Sequence, residues 1–264
     1  MEKSIKIDIA GTVYGIHCDN QRPISWLEEN YGPFVSSKKA GLDVFLRLSK
    51  RRRSTSPAGH PLAWTNRYFH ARTPFADIGI DFEEKKASVR TVSSPPMVDI
   101  MRFLCSIMLM KKRGFLLHAS AVLDGRSSYI FFGPSESGKT TIARLSRGKT
   151  ILTDETAAIA RHNRSYKAYA TPFFGDYGNV EKNANGPLKA VFFIKKSDRF
   201  EHKYLKPGEA VKQLFCNAIR VADDPGISKE MFLSFEDITK KVPFYELHFK
   251  KTPEIWRYIH GSVK

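Results

Sequence analysis

Cysteine is scarce. Three residues in 264, Cys18, Cys105 and Cys216, are too few and too scattered for a disulfide framework or a metal-ligand spacing. That scarcity suits a reducing cytosol. Long apolar runs are missing as well. The greasiest stretch, 100–110, is broken by Arg102 and ends in Lys111-Lys112-Arg113, well short of the roughly 20 apolar residues a bilayer crossing needs. Residues 1–10 alternate charged and apolar side chains and hold no apolar core of the signal-peptide kind. The eight histidines form no His-Glu-x-x-His spacing. Internal repeats and low-complexity tails are also absent. Together these absences point to a cytoplasmic protein with no membrane partner.

What the chain does have is ordinary globular material: 42% hydrophobic and 12% aromatic residues, at a length that suits one large domain or two small ones. Its net charge is +16, from 43 basic and 27 acidic residues. Such an excess attracts polyanions. The charge is nevertheless spread along the chain, and the densest cluster, 50–53, adjoins Ser-Thr-Ser-Pro-Ala-Gly, a loop composition. It reads as a solvated basic surface.

Period-two alternation over 4–15 predicts a strand that turns at Gly15. A short helix follows at 24–31, a strand at 42–48, and a basic polar loop through Pro61. Weaker strands are expected at 68–71, 77–82 and 87–91. Pro95-Pro96 marks a boundary, giving a β-rich region 1–95 and a second domain 96–264. Beyond it, Met97, Ile100, Met101, Leu104, Ile107 and Met108 recur at helical spacing and predict one apolar stripe. Asp124-Gly125-Arg126-Ser127 between apolar runs signals a hairpin. Then come a strand at 128–132, a Gly-rich loop, a helix at 139–147 and a strand at 150–153. Turns fill 171–178, and a strand follows at 189–194. Helices at 208–220 and 228–240, a strand at 242–249 and a helix at 253–260 complete a mixed α/β pattern.

One motif carries chemistry outright. Gly133-Pro134-Ser135-Glu136-Ser137-Gly138-Lys139-Thr140 satisfies Gly-x-x-x-x-Gly-Lys-[Ser/Thr] in full, between an apolar strand and a helical pattern. The glycines let backbone N–H groups converge on phosphate oxygens, and the helix start favours the same anion. Lys139 reaches the β- and γ-phosphates and Thr140 offers a hydroxyl to Mg²⁺. With Thr141, residues 133–141 form the expected ATP-binding loop. Asp154 and Glu155 end the next strand, fifteen residues after Lys139. A parallel strand returning beside the loop-bearing one would place both near the phosphates, one ligating Mg²⁺ and the other taking a hydroxyl proton. His118 is a third candidate. A hairpin turning about Gly125-Arg126 sets it opposite Gly133, and a turn one residue earlier sets it opposite Phe131.

At these residues the chain resembles the HPr kinase-like proteins, which share the nucleotide-binding fold of phosphoenolpyruvate carboxykinase. The likeness is carried by Leu116-Leu117-His118-Ala119-Ser120-Ala121-Val122, by 132–141 and by Leu152-Thr153-Asp154-Glu155. It continues loosely through 171–175, 187–193 and 242–247. The resemblance implies an α/β, phosphoenolpyruvate-carboxykinase-like P-loop core with a mixed sheet. It implies an active-site His118, Asp154 as general base on a serine hydroxyl, Glu155 at the metal, and Thr140 completing the Mg²⁺ site. The acidic pair is Asp-Glu where HPr kinases proper carry Asp-Asp, and their Glu-Ile-Arg-Gly signature is missing. The chain therefore looks nearer to the kinases of ribosomal-peptide clusters, including the lasso-peptide precursor kinases.

The expectation is an ATP- and Mg²⁺-dependent kinase acting on a serine of a peptide or protein, with room left for a homo-oligomer. The alternatives are a small-molecule phosphotransferase on the same scaffold, a basic nucleic-acid-stimulated P-loop ATPase, and a scaffold that senses ATP without chemistry. No aromatic–basic nucleic-acid motif is visible in the sequence, so nucleic acid is not the expected partner.

Overall fold

The alternation over 4–15 folds as two strands rather than one. In the computed structural model, which describes residues 3–49, 62–92, 94–178, 180–222 and 224–262, β1 (Lys3–Ile9) and β2 (Thr12–Cys18) pair as an antiparallel hairpin. The turn falls at Ala10 and Gly11, both at positive φ, and not at Gly15. The basic loop expected over 50–61 lies outside the described residues.

The chain divides into two compact units. One comprises the residues up to Cys105 with Ala222–Ile227, and the other runs from Ser106 to Val221 and from Ser228 onward. In the first unit α1 (Gln21–Asn30) follows β2. Its N-terminus is capped by Asn20, whose side chain accepts the Arg22 N–H, and it buries Pro23, Ile24 and Leu27. Next come β3 (Leu42–Ser49), β4 (Leu62–Trp64), β5 (Tyr68–Arg72), β6 (Ala76–Asp81) and β7 (Lys86–Val92). They form a seven-stranded sheet in the order β1-β2-β3-β7-β6-β5-β4. The β2–β3 and β3–β7 pairs are parallel and the rest antiparallel. Val44, Leu46, Ile78, Ile80 and Val89 are buried on one face, while their alternating neighbours carry charge and polarity.

Helix α2 (Met97–Met110) runs across the boundary between the units. The expected single stripe is too narrow for it. Phe103, Cys105, Leu109 and Met110 are buried along with the stripe residues Ile100, Met101 and Leu104. A helix apolar on nearly every side is a core helix.

The second unit is built on two long strands. These are β8 (Phe115–Asp124) and β13 (Asn185–Lys196). Around them lie β9 (Ser127–Phe132), α3 (Lys139–Leu145), β10 (Thr150–Thr153), β11 (Thr156–His162), β12 (Ser165–Tyr169), β14 (Glu201–Tyr204), α4 (Pro207–Asn217), α5 (Pro225–Thr239), β15 (Phe244–Phe249) and α6 (Ile255–Ser262). The pairings close a circuit: β8 with β11, β11 with β12, β12 with β13, β13 with β9, and β9 back to β8. Strand β10 hangs off β8, and β15 followed by β14 hangs off β13.

Two expectations change here. β10 does not lie beside the loop-bearing β9, because β8 comes between and pairs antiparallel with both. β10 therefore runs in the same sense as β9 one strand over, and its carboxyl end still reaches the loop edge. The parallel neighbour of β9 is β13. The β11–β12 hairpin was not foreseen. Thr156-Ala157-Ala158-Ile159-Ala160 is buried without interruption, so it shows no alternation, and alanine favours helices intrinsically. Beneath α3, an apolar cluster joins Ile142 to Phe131, Phe192, Phe249 and Trp256.

Candidate active site

The loop of residues 133–138 joins β9 to α3, and two of its positions fix its shape. Gly138 has φ 107 and ψ 21, a left-handed conformation, and a Cβ there would stand 2.7 Å from the Phe249 ring. Only glycine meets both demands. The Ser137 N–H donates to the Pro134 carbonyl at 3.2 Å. Lys139 is 7% exposed, and its Nζ donates to the carbonyls of Gly133 (3.1 Å) and Pro134 (3.0 Å). Burial holds its pKa below the ordinary lysine value, against the opposing pull of the Glu155 carboxylate. The Ser137 Oγ is buried with no hydrogen-bond partner.

The acidic wall comes from the β8 side. Ala119 pairs with Phe132, so the hairpin adopts the first of the two registers considered, with a turn at Gly125-Arg126. His118, one residue back, thus sits at the mouth of the loop. Its Nδ1 lies 3.1 Å from Glu155 Oε1, with side-chain exposures of 37% and 39%. Glu155 occupies the link between β10 and β11. There its carbonyl accepts the Ala119 N–H at 3.0 Å, and its own N–H donates to Thr153 Oγ1 at 3.2 Å.

Asp154 takes a different place. It is 1% exposed, and its two carboxylate oxygens accept the N–H groups of Gly175 and Tyr177, each at 2.8 Å. Those amides flank Asp176. The buried carboxylate therefore holds both shoulders of the turn that presents Asp176, while Gly175 packs tightly enough that a Cβ would stand 3.2 Å from Asp154 and Glu155.

A cleft of about 570 Å³ gathers these parts. Of the positions singled out in the sequence, His118, Ser135, Glu136, Gly138, Lys139, Thr140, Thr141 and Glu155 line it. Gly133, Pro134 and Ser137 build the loop without lining the cleft, and Asp154 lies behind the wall. Two lining residues were not anticipated, Asp176 and Lys196. Lys196 ends β13, the parallel neighbour of β9, and ligands gather at the carboxyl ends of such strands. That signal was available. Asp176 sits in a turn-rich stretch with no periodicity and could only be found through the fold. Among the described residues Lys196 makes no ion pair. The result is one cleft lined by two lysines, Lys139 and Lys196, together with His118, Glu155 and Asp176.

The residues present fit a magnesium nucleotide. Lys139, folded inward onto two neutral carbonyls at the cleft, is a donor without an anionic hydrogen-bond acceptor. Among the described residues no group of three or more His, Cys, Asp and Glu side chains could cage a metal. The Thr140 hydroxyl and the cleft carboxylates instead make a sparse, hard-oxygen donor set of the kind Mg²⁺ shares with substrate phosphates. No described helix is long and apolar enough to cross a membrane.

No family model matches the chain, and no curated protein does. Among solved structures it is similar to the HPr(Ser) kinase/phosphatase from Coxiella burnetii, at 9% sequence identity. That match covers 51% of this chain and 85% of the other, with a TM-score of 0.30. An overlap that low carries no weight for function.

Proposed function

We propose that the chain is an ATP- and Mg²⁺-dependent phosphotransferase that phosphorylates a serine hydroxyl of a peptide or protein. One observation carries the reading: a complete phosphate-loop motif whose Lys139 lines a single cleft with Lys196, Glu155, Asp176 and His118.

In this reading Lys139 leaves the neutral carbonyls of Gly133 and Pro134 for the β- and γ-phosphate oxygens. An anionic acceptor makes a stronger hydrogen bond than a carbonyl and compensates the burial of the charge. Lys196 adds a second positive charge to the same cleft. Mg²⁺, held by the phosphates with Thr140 and Glu155, would neutralise phosphate charge and align the transferring group. His118 keeps Glu155 in place through its Nδ1 contact. Asp176 accepts the serine proton as the serine oxygen forms its bond to the γ-phosphorus and the bond to the ADP oxygen breaks. ADP leaves, and the proton stays on the carboxylate. Asp154 is a positioning residue in this scheme, since both its oxygens are already occupied. A solvated cytoplasmic protein without a nucleic-acid substrate is part of the same reading.

The test is transfer of label from γ-labelled ATP to a pool of serine-containing peptides, with the Lys139→Met and Asp176→Asn variants alongside. Transfer that needs both side chains supports the reading. ATP hydrolysis without transfer, rising on addition of nucleic acid, would replace it with an ATPase.

A further inference from the structure

The outer face of the first unit's sheet is ordered by strand register into three rows. In the middle row His17, Phe45, Ser88, Gly79 and His70 lie side by side on β2, β3, β7, β6 and β5. Two small residues stand between aromatic flanks, and a cavity of about 520 Å³ opens over them. Phe45 is braced by His17, whose ring stacks on it at 4.9 Å. On the far side His70 is fixed by Asp77 at 2.7 Å, and Tyr68 is 49% exposed.

The rows above and below differ in charge. On one side of the trough Lys86 lies between Asp43 and Asp81 in register and pairs with Glu84 at 3.4 Å. On the other, Arg47 and Arg90 are direct register partners on parallel strands. Like charges placed opposite each other destabilise a sheet, and neither arginine has an ion-pair partner among the described residues. By contrast, the aspartates of this face are engaged: Asp43 by His17, Asp77 by His70 and Arg72, and Asp81 by Arg67 and two backbone amides. Arg47 and Arg90 therefore offer charge whose countercharge has to come from elsewhere.

We infer that this trough docks an extended acidic peptide segment. Lys86 and Arg90 are four residues apart on β7, about 13 Å at strand rise. A peptide lying along β7 repeats the same period. An acidic side chain at position i+4 meets Arg90 with Arg47, and one at position i shares Lys86 with Glu84. The residue at i+2 drops a bulky apolar side chain onto Ser88 and Gly79, between Phe45 and the His70–Tyr68 flank. A carboxylate fits the two-pronged donor geometry of a guanidinium. A nucleic-acid strand fits less well, since it would set a phosphate at every nucleotide beside Asp43, Asp77 and Asp81, whereas a peptide can confine its charge to the arginine end. That the segment belongs to the phosphoryl acceptor rests on the proposed function; the docking itself does not.

The test uses the full chain and fluorescein-labelled nonapeptides carrying Glu at i and i+4, Phe at i+2 and one Ser. Anisotropy at low salt is compared with a peptide bearing Lys for Glu, and with a single-stranded oligonucleotide. The wild type should bind the Glu peptide at least about tenfold more tightly than the Lys peptide, a difference of about 1.4 kcal/mol. Arg47→Ser/Arg90→Ser should lose that preference with MgATP binding unchanged, and should keep its melting temperature because both side chains are exposed. No binding of the Glu peptide, equal binding of both peptides, or an intact preference in the variant overturns the inference. So does tighter oligonucleotide binding that the same variant abolishes, which would assign the face to nucleic acid. Selective docking without label transfer to any peptide would leave the docking surface standing and remove the phosphotransferase reading instead.

Discussion

Asp154 grips the turn that carries Asp176: its two oxygens accept one amide from each neighbour of that residue, both at 2.8 Å. One carboxylate is buried so that another can be aimed. On the proposed function, the pair would divide between them two tasks that the motif Asp-Glu alone would give to its first member.

This division separates two variants. Asp176→Asn should reduce kcat by about 10²–10⁴, the usual range for loss of an acid–base group, with an unchanged melting temperature because the residue is exposed. Asp154→Asn should reduce kcat and also destabilise the fold by about 1–3 kcal/mol, since its amide NH₂ meets a backbone N–H that then lacks an acceptor. The double variant should have the kcat of Asp176→Asn alone. A double variant much slower than either single would show that Asp154 reacts independently.

Lys139→Met should abolish transfer, with a fall in kcat/KM of at least about 10³ for loss of a principal phosphate contact. Lys196→Ala should lower kcat by about 10–10² while leaving nucleotide-free melting unchanged, because the side chain is exposed and makes no ion pair among the described residues. Steady-state kinetics beside thermal melts will read both. Normal kinetics in Lys196→Ala would remove it from the mechanism.

Gly138→Ala probes the loop rather than its charges. A methyl group at a left-handed φ of 107 and 2.7 Å from Phe249 must displace the ring or the loop. ATP affinity should fall about tenfold or more, by isothermal titration, at a cost of about 1–3 kcal/mol in stability. Phe249→Leu in the same chain should recover part of the affinity by opening space; no recovery would locate the defect in the backbone angle alone.

Acid stability should depend in part on Glu246. Burial alone would raise its pKa, but His248, Lys195 and Lys203 outweigh that and hold it below the usual 4.5. A carboxyl depressed in the folded state contributes stability above its unfolded value, and that contribution is lost as pH falls below 4.5 through the lower folded value. Glu246→Gln should therefore flatten the fall in melting temperature below about pH 4.5 and lower stability at neutral pH, where its exposed cationic partners Lys195 and Lys203 limit the loss. Parallel pH-melt curves for the two proteins would reveal this, and identical slopes would exclude it.

Local geometry was legible from sequence where the signal is short-ranged. The phosphate loop needs eight consecutive residues, and the Asp124–Ser127 turn fixed the register that brings His118 to its mouth. The strands at 42–48, 77–82 and 87–91 show clean alternation because one face is polar and the other buried. What stayed hidden depends on long-range pairing. The burial of Asp154 requires a turn more than twenty residues later to fold back over it. The meeting of Arg47 with Arg90 requires β3 and β7 to be neighbours, although β4, β5 and β6 separate them in the chain. No local pattern encodes either.

The placement of Phe249 beneath Gly138 has a consequence for the order of synthesis. The motif emerges from the ribosome long before the ring that props it, and Trp256, which donates to Ser146 at the end of α3, comes 110 residues after its partner. A nascent chain displaying every residue of the loop is thus still without its floor. If the loop binds nucleotide as proposed, that affinity should be acquired late and in one step, as β15 and α6 dock.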